Sequence, residues 1–311
     1  GLSKDIPVSQ FPAKLVLELR SLTRKYYDLT DERSAHINKL KGDLHTVFPQ
    51  YLDVFCDVTG KTSTMILRQY GTPDKILRGH KKTMIEKISK ASRKGLAKAS
   101  ERYEKLCAAA NAAKTFGCQI DSIYFNIFLT LDLVEKLDSA LDSILNRIRQ
   151  LITFNKNEKF IQQIKLLNTI PGVGFLTAVT IMCEIGDFSA FRNPKQLFAY
   201  FGLDPEVNES GKFVGTQLHM SKRGSRIAHR AIFAVALASI RTKRNGEGIN
   251  PYLRKYYELK SGQKPKMVAI GAVMHKVCNI VFAVLRDEKA FELRSPEEHC
   301  KQYQRPALAA A

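Results

Sequence analysis

The 311-residue chain has no tryptophan, and its six cysteines include no pair spaced as C-x-x-C. Cys56, Cys107, Cys118, Cys183, Cys278 and Cys300 are scattered, and His36, His45, His80, His219, His229, His275 and His299 show no metal-ligand spacing. That excludes a zinc module or a disulfide framework and leaves reduced, structural thiols of a cytosolic kind. No uninterrupted apolar run approaches the ~20 residues of a membrane span. The first residues also lack a signal peptide's apolar centre. Acidic residues are few: 30 Asp and Glu face 49 Lys and Arg, a formal net charge of +19. Such an excess points to a polyanionic partner, a nucleic acid before an anionic membrane surface.

What is present is helical, in a length that suggests about two domains. After a leader at 1–12, apolar residues recur at Leu15, Leu19, Leu22, Tyr26 and Leu29, then at Ile37, Leu40, Leu44 and Val47. Steps of four and three make a narrow helical seam, which Pro49 ends. A second helix is predicted from Lys81 to Lys114, with Gly95 as its soft spot. A third runs from Asp121 to Gln150, striped by Ile127, Leu131, Val134, Leu137, Leu141, Ile144 and Ile148. Residues 13–165 therefore read as long antiparallel or coiled-coil helices with a compact connector at about 51–83. A seam of this kind specifies association, so a homodimer or higher homo-oligomer is expected through it.

Charge separates these helices. Residues 75–105 hold 11 Lys and Arg against 3 Glu, whereas 117–165 are balanced at 6 and 6. Lys81, Lys82, Lys90, Arg93, Lys94 and Lys98 are candidates for RNA or DNA contact, against the plainer reading of a solvated helix face. A second basic block, 212–266, holds 13 Lys and Arg against Glu247 and Glu258 alone.

The chain is organised around Leu167–Arg226. Ile170-Pro171-Gly172-Val173-Gly174 resembles a helix-hairpin-helix, with Pro171 and Gly172 making the turn. Gly174 would let a phosphate approach the free N–H groups of the next helix. An ordinary Pro-Gly corner uses the same residues. A polar, turn-rich stretch then carries Glu209-Ser210-Gly211, with Phe213–Met220 as a short strand or hairpin. Ser210 can present a hydroxyl there, although a Ser-Gly pair also makes a plain turn. Ser221-Lys222-Arg223-Gly224-Ser225-Arg226 opens an apolar helix. Cations at that end oppose the helix dipole, a cost that a bound phosphate would offset. Gly172, Gly174, Lys212, Lys222, Arg223, Arg226, Lys264 and Lys266 are the candidate DNA or phosphate contacts. Phe188, Phe191, Leu197 and Phe198 read as core, and His275 as a packed histidine.

Taken in order, these strings resemble the serine-containing domain of the insertion-sequence one-ten family transposases. They are Ile170–Gly174, Gly202-Leu203-Asp204-Pro205, Glu209-Ser210-Gly211, Ser221-Lys222-Arg223-Gly224, and Gly262 with Lys264. The earlier helices, with Leu19-Arg20-Ser21-Leu22-Thr23-Arg24 and Phe48-Pro49, resemble that family's coiled-coil insertion. The expected fold is mainly α: coiled-coil helices over 13–165, a compact helical domain over 166–294 with a helix-hairpin-helix and a short loop or β-hairpin, and a tail at 295–311. The resemblance implies Ser210 as a nucleophile toward DNA, a bridge RNA as guide, paired protomers, and a prokaryotic cytoplasmic location with the nucleoid. It also implies an N-terminal RuvC-like domain with four acidic metal ligands, and the chain begins about where that domain would end. No cofactor is therefore expected in this chain, and Mg2+ only through that domain of a full-length protein. Alone, the chain is expected to bind nucleic acid without completing recombination. Two other readings compete: a non-enzymatic helix-hairpin-helix nucleic-acid-binding scaffold on a dimeric coiled coil, and a purely structural coiled-coil protein.

Overall fold

The computed structural model describes residues 13–204, 209–210, 213–214, 220–221, 223–295, 297–298 and 301, with backbone alone at 209, 210, 213 and 214. The fold is mainly α, and it divides into two compact units, one of Gly1–Lys25 with Leu145–Ala311 and one of Tyr26–Ile144.

The helical seams become two long helices, α1 (Lys14–Val47) and α7 (Asp121–Phe154), which both units share. In the 26–144 unit, Arg33 of α1 forms a two-pronged ion pair with Asp138 of α7. Leu40, Leu44 and Val47 of α1 are buried in one apolar cluster with Ile127 and Leu131 of α7. This part of the seam is thus covered by the chain itself. Phe125, Leu129 and Leu133, on another side of α7, are exposed.

Between these helices lie α2 (Tyr51–Val54), α3 (Lys61–Gln69), α4 (Pro73–Arg78), α5 (Lys81–Ser92) and α6 (Leu96–Phe116). Tyr51 anchors them: its ring lies 5.1 Å from that of Phe48 and 4.8 Å from that of Phe55. Its hydroxyl donates to the backbone oxygen of Ser63 at 3.0 Å, as a buried phenol requires. The single helix expected from Lys81 to Lys114 is instead two helices packed on each other. Arg93 turns the chain with a left-handed φ of 52°, and Gly95 caps α6. The Ser89 hydroxyl, donating to the Lys94 carbonyl at 2.8 Å, holds the corner. Folding back buries Met84 and Ile88 beside Leu106 and Ala110, which a straight helix would leave in water.

The other unit contains α8 (Lys159–Leu167), α9 (Phe175–Ile185), α10 (Pro194–Tyr200), strands β1 (Glu209–Ser210) and β2 (Phe213–Val214), α11 (Arg226–Ser239), α12 (Pro251–Ser261) and α13 (Lys266–Asp287). Asn193 and Asn250 cap α10 and α12, their side chains accepting from Gln196 N at 3.1 Å and Leu253 N at 3.1 Å, each just before a proline. The expected strand at Phe213–Met220 is present at Phe213–Val214, where β2 pairs antiparallel with β1, Ser210 opposite Phe213; residues 215–219 lie outside the described residues.

α13 is the central helix, packed by α8, α10, α11 and α12, with Val273, Val277, Val281 and Leu285 buried. At 22 residues and a mean hydropathy of 2.0 it has the length and composition to cross a membrane. Here its apolar sides are spent on four neighbouring helices, and His275-Lys276 interrupts the run. The His275 ring packs 4.8 Å from that of Phe198. Of the expected core residues Leu197 is fully buried, whereas Phe188, Phe191 and Phe198 are half-buried.

Candidate active site

The residues singled out around Ser210 lie on an excursion of the chain whose two ends are tied together. The outgoing end is Asp204, after α10, and the returning end is Met220-Ser221, before α11. Ser221 N–H donates to the Asp204 carbonyl at 2.8 Å, and its hydroxyl donates to Asp204 Oδ1 at 2.5 Å. Met220 Cε fills the space over Gly271 of α13, where a Cβ would stand 2.9 Å from it. β1 and β2, with Ser210 beside the connection between them, belong to this excursion. Lys212 and Lys222 lie outside the described residues, as does the Ser210 side chain. Arg223, Arg226, Lys264 and Lys266 are exposed.

Behind the turn stands a buried carboxylate that the sequence reading missed. Glu184, near the end of α9, is 1% exposed. It accepts Nε–H and Nη2–H of Arg24 at 2.8 and 2.9 Å and the hydroxyl of Ser225 at 2.7 Å. Ser225 also caps α11, accepting from Ala228 N at 3.2 Å. Arg20 Nε–H donates to the Cys183 carbonyl at 2.7 Å, and the Tyr200 hydroxyl donates to the Glu184 carbonyl at 2.5 Å. Burial pushes the Glu184 carboxyl up, but the Arg24 and Ser225 hydrogen bonds and the charges of Arg24 and Arg20 outweigh it and hold the group below its ordinary value. The start of α11 therefore already faces an internal anion. Its charge is answered by Arg24 and Arg20, while Arg223 and Arg226 at the start of α11 remain exposed. A lone carboxylate in Phe-Leu-Thr-Ala-Val-Thr-Ile-Met-Cys-Glu-Ile was the available signal, because a buried charge needs a partner.

Residues 164–258 match the family model described as "Transposase IS116/IS110/IS902 family". The chain is also similar, at 23% identity over 286 residues, to the "Insertion element IS110 uncharacterized 43.6 kDa protein" of Streptomyces coelicolor. The segment 164–258 thus carries this family's transposase domain. The Streptomyces match covers 91% of this chain and 66% of that protein. A "Pilin gene-inverting protein" of Moraxella bovis is 29% identical over 57% of this chain and 52% of its own. A "Transposase for insertion sequence element IS1111A" of Coxiella burnetii is 26% identical over 58% of this chain and 50% of its own. The chain thus spans about two-thirds of the first of these relatives and about half of the other two.

Within the transposase family segment, the two glycines of the hinge between α8 and α9 do different things. Gly174 caps α9 with nothing within 4 Å of its Cβ position, which leaves the first N–H groups of α9 approachable. Gly172 has φ +99°, and a Cβ there would meet Ser239 Oγ at 2.4 Å and Ser239 N at 2.9 Å. Ser239 in turn donates from its hydroxyl to the Pro171 carbonyl at 2.9 Å. Gly172 is thus packed against α11, and Gly172→Ala is expected to cost about 2 kcal/mol through backbone strain and overlap. Thermal unfolding checks this; an unchanged melting temperature would show that the hinge does not rest on Ser239. Among the described residues no three His, Cys, Asp or Glu side chains gather as a metal site.

Proposed function

We propose that the chain is the DNA-handling, nucleophile-bearing part of a transposase that cuts and rejoins DNA by phosphoryl transfer. One observation carries the reading: within the family-matched segment, the strand pair that includes Ser210 lies in sequence between Asp204 and Ser221, which bond each other just before a cationic helix start. In this reading the Ser210 hydroxyl loses its proton to a base as its oxygen bonds to a DNA phosphorus. One bridging P–O bond breaks, leaving a phosphoserine-linked strand and a free sugar hydroxyl, and attack by a hydroxyl reverses the step. Lys222 and Arg223 would neutralise the charge gathering on the phosphate oxygens, while Gly174, Lys212, Arg226, Lys264 and Lys266 hold the backbone.

A bridge RNA as guide, Mg2+ through a RuvC-like domain, paired protomers and a place with the DNA in a prokaryotic cytoplasm enter on the resemblance. The runner-up is a nucleic-acid-binding scaffold without chemistry. The experiment is to trap a covalent protein–DNA adduct with the full-length protein and its guide. Ser210→Ala is expected to abolish the adduct and to change DNA affinity less than twofold. An adduct that survives in Ser210→Ala refutes the assignment, and no adduct from the unsubstituted protein favours the scaffold.

A further inference from the structure

The 26–144 unit is electrically lopsided. It carries 18 Lys and Arg against 15 Asp and Glu, yet residues 75–105 alone hold 11 and 3 of these. The rest of the unit is therefore acidic, with 7 basic groups against 12, and three of those cations are held in ion pairs. Arg68 bonds Asp132 and Glu135, Arg33 bonds Asp138, and Lys114 bonds Asp74 at 2.8 Å. Several members of the basic run are also engaged. Lys81 lies over the Tyr103 ring, and Lys87 lies over the Tyr70 ring and donates to Gln69 Oε1 at 2.9 Å.

Where α5 folds back on α6, Lys94 and Lys98 are not engaged in this way, whereas Arg102 lies over the Phe55 ring and Lys105 pairs with Glu101. Lys94, Lys98, Arg102 and Lys105 line a cavity of about 220 Å³ whose apolar wall is Ile88 of α5 and Val54 of α2. Two carboxylates, Asp53 and Glu101, share the cavity, and Glu101 is bound by Lys105 at 2.7 Å. Lys94 and Lys98 are exposed, and among the described residues neither forms an ion pair. Lys98, Arg102 and Lys105 are four and three residues apart and so share one face of α6. The corner itself is fixed: Ser89 and Ser92 bond the Lys94 carbonyl and amide at 2.8 and 3.3 Å. Cations on a fixed concave corner lose less freedom on binding an anion than cations on a mobile tail. No exposed aromatic lines the cavity, so it offers charge to a backbone rather than a stacking surface to a base.

We propose that this corner is a second nucleic-acid site, one that grips a phosphodiester backbone through Lys94 and Lys98, with Arg102 and Lys105 behind them. It is separate in sequence from the transposase-matched segment and stands whether or not Ser210 is a nucleophile. The site has no means of reading base sequence, so it serves as a clamp on whichever strand the protein carries.

Fluorescence anisotropy of the 311-residue chain with a labelled RNA hairpin and with a labelled DNA duplex tests this across a salt series. Lys94→Glu with Lys98→Glu is expected to weaken one or both probes about tenfold and to make the log–log salt slope shallower by about 1.5. The affected probe identifies the source of the backbone. Lys39→Glu with Lys136→Glu makes the same charge change elsewhere on the unit and is expected to stay within twofold. The loss must persist in a background carrying Arg223→Gln and Arg226→Gln, which separates it from the site around Ser210. Circular dichroism confirms that each variant is folded. Unchanged affinity for both probes overturns the site, as does an equal loss in the Lys39 and Lys136 variant.

Discussion

Gly224→Ala is expected to destabilise the chain by about 3 kcal/mol, the upper range for forcing an atom into a packed position. The Cβ of an alanine there would stand 2.0 Å from the Tyr200 carbonyl oxygen, 2.6 Å from Gly202 N and 2.7 Å from the Tyr200 carbonyl carbon. All three are backbone atoms, and no side chain can rotate to relieve them. They also sit where α10 closes, fixed by bonds from Phe201 N to Leu197 O at 3.0 Å and from Gly202 N to Ala199 O at 2.9 Å. The turn at 221–225 must therefore move instead. Moving it stretches Ser225 N to Tyr200 O, 3.3 Å, and both bonds from Ser221 to Asp204, the neck of the Ser210 excursion. For a unit of this size each kcal/mol lowers the melting temperature by about 2–4 °C, so a fall of roughly 6–12 °C is expected by differential scanning calorimetry. Gly174→Ala is the control, with open space at its Cβ position and an ordinary φ, and should melt almost as the unsubstituted chain does. A Gly224→Ala protein that melts within about 2 °C of the parent would mean that the turn does not rest on α10.

That close approach shows where reading the sequence succeeds and where it stops. The starts of α10 and α12 were legible because Asn193-Pro194 and Asn250-Pro251 act on the next three residues and on nothing distant. The seams of α1 and α7 were legible as periodicity. What they pack against was not, because a seam looks the same whether a second copy or the chain's own α7 covers it. The fold-back at Arg93 was half visible: Gly95 marked the weak point, but only the burial of Ile88 and Leu106 decides that the helix turns there. At the site, the turn residues were found by their local chemistry, whereas Glu184 meets Arg24 across 160 residues and Ser225 across 41. No spacing rule spans such a distance. The two hinge glycines could not be told apart in the sequence either: Gly172 faces Ser239, and its neighbour Gly174 is the open one.

Arg24→Ala is expected to cost about 2–3 kcal/mol at neutral pH and markedly less in acid, once Glu184 is protonated. Removing one partner of a buried ion pair costs about 3–5 kcal/mol when the other is left uncompensated. The lower figure applies because the Arg24 side chain is 51% exposed and because Ser225 and Arg20 still act on Glu184. The penalty falls on Glu184, whose side chain is 1% exposed and cannot turn to water. The carboxyl is depressed in the folded parent, so its contribution is present above the unfolded value and is lost as pH falls through the folded one. Without Arg24, two of its three hydrogen bonds go while burial remains, so the folded value rises and the carboxyl takes up its proton more readily. In acid Glu184 is protonated with or without Arg24, and the difference between the two proteins shrinks. Glu184→Gln should cost less than Arg24→Ala at pH 7, because the amide oxygen still accepts from Ser225 and the exposed Arg24 returns to water. The double variant should melt above the sum of the two losses. Urea melts of the four proteins at neutral and acid pH measure the cycle. Strict additivity, or an Arg24→Ala penalty that does not change with pH, would show that Glu184 is not the carboxylate holding α1, α9 and the start of α11 together.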